Sequence, residues 1–180
     1  TWATPLPPLP VDGGSVEGQV EDMQGRFNLN NLVKPDGTPD TVALEQLQRL
    51  LQRLQLETKW AQILVDWIDP DTVRSYPDGA EDGEYLLQQP GYRAANTYLT
   101  STSELMALPD FGVDRYRRLA PYVAALPFGT KLNACTASGF VLDSLAPDVT
   151  EFGTDPQQLV RNREKGCFPT VLDLAAALGD

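Results

Sequence analysis

The apolar residues of this chain follow two different spacings, one near its start and another over the rest of the sequence. In the segment 15–22, Val16, Gly18 and Val20 alternate with polar residues, and this period of two predicts a half-buried β-strand. Residues 23–30 follow with a turn and a short second strand. We therefore expect a strand-bearing segment near the start of the sequence.

From Thr41 onward, the apolar residues follow the spacing of an α-helix. Asp40 or Thr41 is the expected N-cap, and Pro70 ends the pattern. Because the leucine stripe lasts barely two heptads, a pair of core-packing helices is favoured over a coiled coil. Trp60 and Trp67 lie on one helical face, so we expect both in the core.

Later segments predict more loops and helices. Residues 69–98 form a long loop rich in turn formers and acids. Ser101–Glu104 has the pattern of a capping box ahead of another helix, and the segment 132–138 caps a further one. The two helical units suggest a weak internal duplication.

These patterns together predict an α+β fold. We divide the chain into a strand segment at 1–33, a linker rich in helix breakers at 34–40, and a mostly α-helical domain at 41–180. No run of the sequence approaches the roughly 18 consecutive apolar residues that a membrane-spanning helix needs.

The charge balance narrows the chemistry. The sequence has 14 Lys and Arg against 25 Asp and Glu, a net charge of -11, and no histidine. Binding to a DNA duplex needs clustered Lys and Arg, so a divalent cation or a basic protein fits better than nucleic acid. Without histidine, a Ser-His-Asp triad, a Cys-His pair and a His-built zinc site are excluded. We expect that the protein is not an enzyme.

Two cysteines, Cys135 and Cys167, lie far apart in the sequence. Their spacing fits neither a CxxC redox motif nor a metal knuckle. Two alternatives stay open at this point: two buried thiols in a cytosolic protein, or one structural disulfide in an oxidising compartment.

An acidic segment follows the second predicted helix. Residues 66–84 hold seven carboxylates against the single Arg74, and like charges at this density repel each other. Calcium takes six to eight hard oxygens and suits a flexible loop rich in carboxylates and carbonyls. The spacing is not that of an EF-hand, and a solvated acidic loop is the alternative. The candidate calcium ligands are Asp69, Asp71, Asp78, Glu81 and Asp82.

The segment Leu132–Ser138, Leu-Asn-Ala-Cys-Thr-Ala-Ser, is similar to the opening of the helix-hairpin-helix module in DNA-uptake proteins. It lacks a clean Gly-x-Gly hairpin, for which Asp110–Val113 is the nearest match. With a net charge of -11, use of the module as a scaffold is favoured. An extracytoplasmic helix-hairpin-helix module that binds DNA is the alternative function.

A longer run carries a specific resemblance to a known family. Residues 18–32, GQVEDMQGRFNLNNL, closely resemble the signature of the minor pseudopilin K of the type II secretion system, also called general secretion pathway protein K. The resemblance covers essentially the whole chain. Further blocks match in the same order: Val65–Asp69, Gly79–Asp82, Tyr92–Asn96, Ser101–Leu105 and Asn133–Ala137.

The resemblance implies a structural protein that caps the tip of the periplasmic pseudopilus. Its implied partners are the minor pseudopilins I and J, with H as a further candidate, and the assembly promotes export of folded proteins. The family fold is a pilin-like antiparallel sheet with a large helical domain inserted between its strands. An N-terminal helix would anchor the protein in the inner membrane, and that helix and further sheet strands are not within these 180 residues. The resemblance also implies calcium bound by the loop 69–82 and a disulfide between Cys135 and Cys167.

Overall fold

The computed structural model describes residues 7–146, 156–161 and 167–178, in which helices combine with two small sheets. The strands are β1 (Leu9–Val11), β2 (Gly14–Val16), β3 (Phe27–Asn28) and β4 (Val123–Ala124). The α-helices are α1 (Thr41–Arg53), α2 (Lys59–Ile68), α3 (Asp82–Tyr85), α4 (Gly112–Leu119), α5 (Gly139–Asp143), α6 (Pro156–Arg161) and α7 (Val171–Leu178). Turns of 3-10 helix lie at Met23–Gly25, Leu29–Leu32, Thr102–Ala107 and Ala120–Tyr122. The predicted α+β class is confirmed at this level.

The two predicted core helices are α1 and α2. The Asp40 carboxylate accepts a hydrogen bond from the Ala43 N–H at 3.0 Å, which confirms Asp40 as the N-cap of α1. After α1, Gln55 adopts a left-handed conformation with φ of 54° and redirects the chain. Helix α2 ends at Ile68, two residues before Pro70.

One hydrophobic core joins the start of the chain to these helices. Both predicted core tryptophans are buried, with Trp60 1% and Trp67 5% exposed. The core therefore extends across the linker predicted at 34–40. The division into domains at this linker stays a prediction. Core residues contributed from before the linker are Phe27, Leu29, Leu32 and Val33, and those from α1 and α2 include Leu47, Leu50, Leu51, Trp60, Leu64 and Trp67.

The hairpin of β1 and β2 differs from the prediction. The strands are antiparallel, with Leu9 paired to Val16, and every residue in them is exposed. The half-buried strand predicted over 15–22 is wrong in two respects: β2 ends at Val16, and Val20 is 62% exposed. Alternation predicts a face that another layer covers, and within the described residues this face stays exposed.

Residues 27–32 are held mainly by side-chain hydrogen bonds. The short second strand predicted here exists as β3, but it pairs in parallel with the distant β4 over only two residues. Asn28, Asn30 and Asn31 make the remaining connections by bonding to the backbone of Leu99 and of the segment 126–130. Hydrogen bonds from amide side chains thus hold this segment in place, where further sheet pairing would use backbone hydrogen bonds.

The segment before β3 lies directly against the later Asn-Ala-Cys-Thr-Ala motif. Asp22 accepts hydrogen bonds from Asn133 Nδ2 at 2.7 Å and from Thr136 Oγ1 at 2.8 Å. A Cβ added to Gly25 would lie 2.8 Å from the Thr136 carbonyl oxygen, so only glycine permits this approach. The run 18–32 and that motif, which carry the family resemblance, are therefore in contact.

The remaining helices follow the predicted order. Ser101 and Glu104 form the predicted capping box, since Ser101 Oγ accepts from Ser103 N–H and Glu104 Oε1 accepts from Ser101 N–H. The loop predicted over 69–98 contains one short helix, α3. The second half of the suggested duplication lies partly outside the described residues.

A disulfide joins Cys135 to Cys167, with the two Cα atoms 4.8 Å apart. It links the loop before α5 to the segment that leads into α7, where Leu174 and Leu178 pack against the core. Of the two alternatives that the sequence left open, the disulfide is confirmed. In the part of the chain that the structure describes, no helix combines the length and the apolar character needed to cross a membrane.

Candidate metal centre

The end of α2 and the start of α3 bring the acidic residues together. Asp66 lies on the last turns of α2, and Asp69 is the residue at its C-terminus. Pro70 then prevents the helix from continuing, because proline has no N–H to donate and its ring clashes with the preceding turn. Glu81 precedes α3, and its N–H donates to Glu84 Oε2 at 3.0 Å. The segment between the two helices folds back onto α2.

Asp69, Asp71 and Glu81 converge on one point. One carboxylate oxygen of each residue lies within 4.8 Å of the chosen oxygens of the other two. Asp69 and Glu81 are 4% and 5% exposed, whereas Asp71 is exposed. This arrangement allows a cation to contact buried carboxylates while Asp71 leaves a path from solvent.

Several buried oxygens at this point lack a hydrogen-bond partner among the described residues: Asp69 Oδ1 and both carboxylate oxygens of Glu81. Burial raises the pKa of Asp69 to about 7, and the carboxylates of Asp71 and Asp66 add to the effect. Burial likewise raises the pKa of Glu81 to about 7, again with a contribution from neighbouring aspartates. A buried, unpaired carboxylate is costly, and a cation would remove that cost.

The other two predicted ligands lie outside this cluster. Asp82 Oδ2 accepts from Arg93 Nη1 at 2.9 Å, and Asp82 Oδ1 accepts from the Ala94 N–H at 3.1 Å. Asp78 is exposed, and its N–H donates to Gln62 Oε1 at 3.3 Å. The structure therefore brings three of the five predicted residues together.

Two further residues, which the sequence did not indicate as metal ligands, contact the segment that carries the acidic cluster. Asp66 is fully buried, and its Oδ2 accepts from the Ser75 N–H at 3.0 Å. Asp66 lies three positions before Asp69, so helical spacing alone could have placed it on the same face of α2 as that candidate ligand. Asn96 Nδ2 donates to the Asp71 carbonyl oxygen at 2.6 Å, from a left-handed backbone with φ of 46°. Spacing could not have found Asn96, because it lies far from Asp71 in sequence.

The residues present fit a calcium ion. Calcium is a hard cation that accepts carboxylate oxygens in flexible geometry, and backbone carbonyls and water complete its six to eight ligands. Asp69, Asp71 and Glu81 supply such oxygens on a segment with little regular structure. Magnesium fits less well, because it demands near-octahedral geometry and holds its own waters.

Many guanidinium groups of the described surface already bind carboxylates, which leaves fewer of them for a phosphate backbone. The DNA-binding alternative therefore gains no support from this surface. These ion pairs are Arg26–Glu21 at 2.7 Å, Arg74–Glu84 at 3.2 Å, Arg93–Asp82 at 2.9 Å and Arg115–Glu57 at 2.8 Å.

Known proteins are similar to this chain over most of its length. The family model described as type II secretion system (T2SS), protein K, matches residues 25–128. Type II secretion system protein K of Pseudomonas aeruginosa is 43% identical over 163 residues, covering 87% of this chain and 46% of that protein. The protein of the same name from Aeromonas hydrophila is 38% identical over 138 residues, covering 70% of this chain and 42% of that protein. The chain thus spans less than half the length of these relatives.

A solved structure is similar as well. It is the crystal structure of the GspK–GspI–GspJ complex from the type 2 secretion system of enterotoxigenic Escherichia coli, with 28% sequence identity and a TM-score of 0.82. The similarity covers 99% of this chain and 65% of that chain. The family model alone spans more than half of the sequence, including α1, α2 and the acidic cluster. This chain therefore belongs to the family of type II secretion system protein K.

Proposed function

We propose that this chain is the periplasmic part of a minor pseudopilin that caps the tip of the type II secretion pseudopilus. In this role it assembles with the minor pseudopilins I and J, with H as a further candidate, and promotes the export of folded proteins. The observation that carries the proposal is the TM-score of 0.82, over 99% of this chain, to a protein solved in a complex with I and J. The role is structural and involves no catalysis.

The proposal also covers the cellular setting and the sheet to which the first strands belong. The full-length protein is anchored in the inner membrane by an N-terminal helix, with this part in the periplasm. The disulfide supports an oxidising compartment. The hairpin of β1 and β2 belongs to a pilin-like sheet, and the helical part is the insertion. In this hairpin, the exposed side chains of Leu9, Val11 and Val16 lie on one face, as the paired register requires. An exposed apolar face of this kind suits burial against a larger sheet.

Co-purification tests the assembly. The chain is mixed with the periplasmic parts of I, J and H from the same bacterium and analysed by size-exclusion chromatography with light scattering. We expect a stable complex that contains the chain together with I and J. Elution of each protein alone at micromolar concentration would contradict the proposal. A salt-sensitive shift of duplex DNA in a gel assay would instead favour the DNA-binding alternative.

The proposal also assigns a calcium ion to the acidic loop 69–82. Asp69, Asp71 and Glu81 are the proposed ligands, whereas Asp82, which pairs with Arg93, and Asp78, which is exposed, lie outside their cluster. Support comes from the convergent carboxylates and from the buried oxygens of Asp69 and Glu81, which lack partners among the described residues. Bound calcium would neutralise their repulsion and cross-link α2 to the start of α3.

Calorimetry tests this assignment. Titration of the chelator-treated chain with calcium should show saturable heat, and magnesium at the same concentration should show little. At one hundred times the dissociation constant, calcium should stabilise the fold by about 2.7 kcal/mol. If no calcium is taken up and chelators leave the melting temperature unchanged, the loop is a solvated acidic surface.

A further inference from the structure

The residues between Asp71 and Glu81 are tied to α2 by two side chains that lie outside the candidate ligand set. Gln62 Nε2 donates to the Tyr76 carbonyl oxygen at 2.8 Å, and Gln62 Oε1 accepts from the Asp78 N–H at 3.3 Å. Gln62 and Asp66 are four residues apart, so both lie on the face of α2 that the loop covers.

Asp66 makes the second connection from within the protein. Its Oδ2 accepts from the Ser75 N–H at 3.0 Å, and Gly79 N–H closes the turn by donating to the Ser75 carbonyl oxygen at 2.8 Å. A Cβ on Gly79 would lie 2.0 Å from Asp66 Oδ2, so the carboxylate fits into space that only glycine leaves open. Both Gly79 and Asp66 are buried.

These contacts fix a turn that ends close to a candidate ligand. Only Ala80, itself 5% exposed, separates Gly79 from Glu81. The position of Glu81 relative to Asp69 therefore depends on how the turn Ser75–Gly79 sits on α2. Ordering a loop at the moment of binding weakens affinity, and a loop ordered beforehand does not carry that cost.

We infer that Gln62 and Asp66 are positioning residues, which hold the turn Ser75–Gly79 on α2 and so place Glu81 opposite Asp69 and Asp71 before the cation binds. Asp66 acts through its Oδ2, which accepts from the Ser75 N–H. Its Oδ1 is buried without a partner among the described residues, so the test below must separate positioning from direct ligation. This inference rests on the calcium assignment proposed above. Loss of residues that orient metal ligands typically weakens metal affinity by about 10- to 100-fold.

Two substitutions at Asp66 separate the hydrogen bond from the charge. Asp66→Asn and Asp66→Ala both remove the carboxylate charge, but only Asp66→Asn keeps an oxygen that can accept from the Ser75 N–H. Calcium titration of the 180-residue chain should give Asp66→Asn close to the unchanged protein and Asp66→Ala weaker by about 10-fold or more. Asp69→Asn, which alters a proposed ligand, is the comparison for loss of a direct contact.

Gln62→Ala tests the same turn from the half-buried side of the helix, where a folding defect is not expected. It should weaken calcium binding by about 10-fold and leave the melting temperature in chelator unchanged. Amide hydrogen exchange at 75–80 without calcium should be faster in Gln62→Ala and in Asp66→Ala, and unchanged in Asp69→Asn. Gln52→Ala, at an exposed glutamine of α1, is the matched control.

Three results would overturn the inference. Equal calcium affinity of Gln62→Ala, Asp66→Ala and the unchanged chain would show that the turn needs no such support. Equal weakening by Asp66→Asn, Asp66→Ala and Asp69→Asn would make Asp66 a ligand instead. Absence of calcium binding by the unchanged chain would overturn the calcium assignment itself, and this outcome is distinct from the other two.

Discussion

The side-chain amide of Asn30 pairs with the backbone of Leu99 through two hydrogen bonds, as the backbone of a neighbouring strand would. Asn30 Oδ1 accepts from the Leu99 N–H at 2.8 Å, and Asn30 Nδ2 donates to the Leu99 carbonyl oxygen at 2.9 Å. The same Nδ2 also donates to the Leu126 carbonyl oxygen at 2.9 Å. One buried amide therefore connects three separate segments of the chain.

Replacement of Asn30 by alanine should be strongly destabilising. It leaves the N–H and carbonyl groups of Leu99 without their partner in a site that water does not reach, since Asn30 is 3% exposed. Each unsatisfied buried group costs about 1–3 kcal/mol, so we expect a loss of roughly 2–4 kcal/mol in the free energy of unfolding. Urea denaturation measures this loss. Gln52→Ala should change stability by less than about 0.5 kcal/mol, and a similarly small effect of Asn30→Ala would contradict the prediction.

Gly25→Ala tests the contact between the two sequence motifs. The new Cβ would lie 2.8 Å from the Thr136 carbonyl oxygen and 2.9 Å from its carbon, and both atoms belong to backbone that cannot rotate away. We expect a loss of about 1–3 kcal/mol by urea denaturation. Gly18→Ala is the control, because nothing lies within 4 Å of a Cβ at Gly18. Equal stability of the two variants would show that the contact yields without cost.

The helices were predictable because their determinants are local. Asp40 caps α1, Ser101 and Glu104 form a capping box, and Pro70 limits α2, all within a few residues of the elements that they define. The sheets were not predictable in the same way. The partner of β3 lies in β4, and the amide contacts of Asn30 reach equally distant segments. A sequence pattern gives no information about such partners.

Part of the acidic cluster was predictable because, as for the helices, its determinants are local. Asp69, Asp71 and Glu81 flank a helix end and a helix start, so their convergence follows from local structure. Asp82 was also a reasonable candidate, but Arg93 binds it, and this pairing depends on how the chain returns after α3. The contact of Asn96 with Asp71 is equally non-local.

Removal of the disulfide should destabilise the chain by about 3–4 kcal/mol in the chain-entropy model, given the sequence separation of 32 residues. Thermal unfolding with and without reductant measures the effect, and mass spectrometry of the non-reduced protein should find no free thiol. In the double variant Cys135→Ser with Cys167→Ser, reductant should have no effect on the melting temperature. A reductant effect that persists in this variant would assign the destabilisation to another cause.

Without calcium, stability should fall as pH rises from about 4 to about 7. Asp69 and Glu81 have folded-state pKa values raised to about 7, above their unfolded values, so the folded state holds more protons in this window. Deprotonation through that range therefore favours the unfolded chain. Burial raises the pKa of Asp66 as well, which acts in the same direction.

Calcium should reverse this dependence, because protons compete with the cation for the same carboxylates. We expect the calcium-induced rise in melting temperature to be larger near pH 8 than near pH 5. Urea denaturation at both pH values, in chelator and in excess calcium, measures the two slopes. Stability in chelator that rises between pH 5 and 7 would mean that the two carboxylates are not buried as the structure places them.

Glu81→Gln should separate the two consequences of the cluster. Removal of one buried charge relieves repulsion with Asp69 and Asp71, so the chain in chelator should melt at a higher temperature than the unchanged protein. The same substitution removes a principal ligand, so the stabilisation by calcium, about 2.7 kcal/mol at one hundred times the dissociation constant, should be lost.

Asp78→Asn is the matched control for Glu81→Gln, because it removes one charge from the same loop at an exposed position outside the convergent set. It should leave the melting temperature in chelator nearly unchanged and keep the calcium response. Differential scanning calorimetry with calcium and with chelator compares the two variants directly. If Asp78→Asn loses the response and Glu81→Gln keeps it, the cation binds at the exposed turn, because the charge removed is the same and only its position differs.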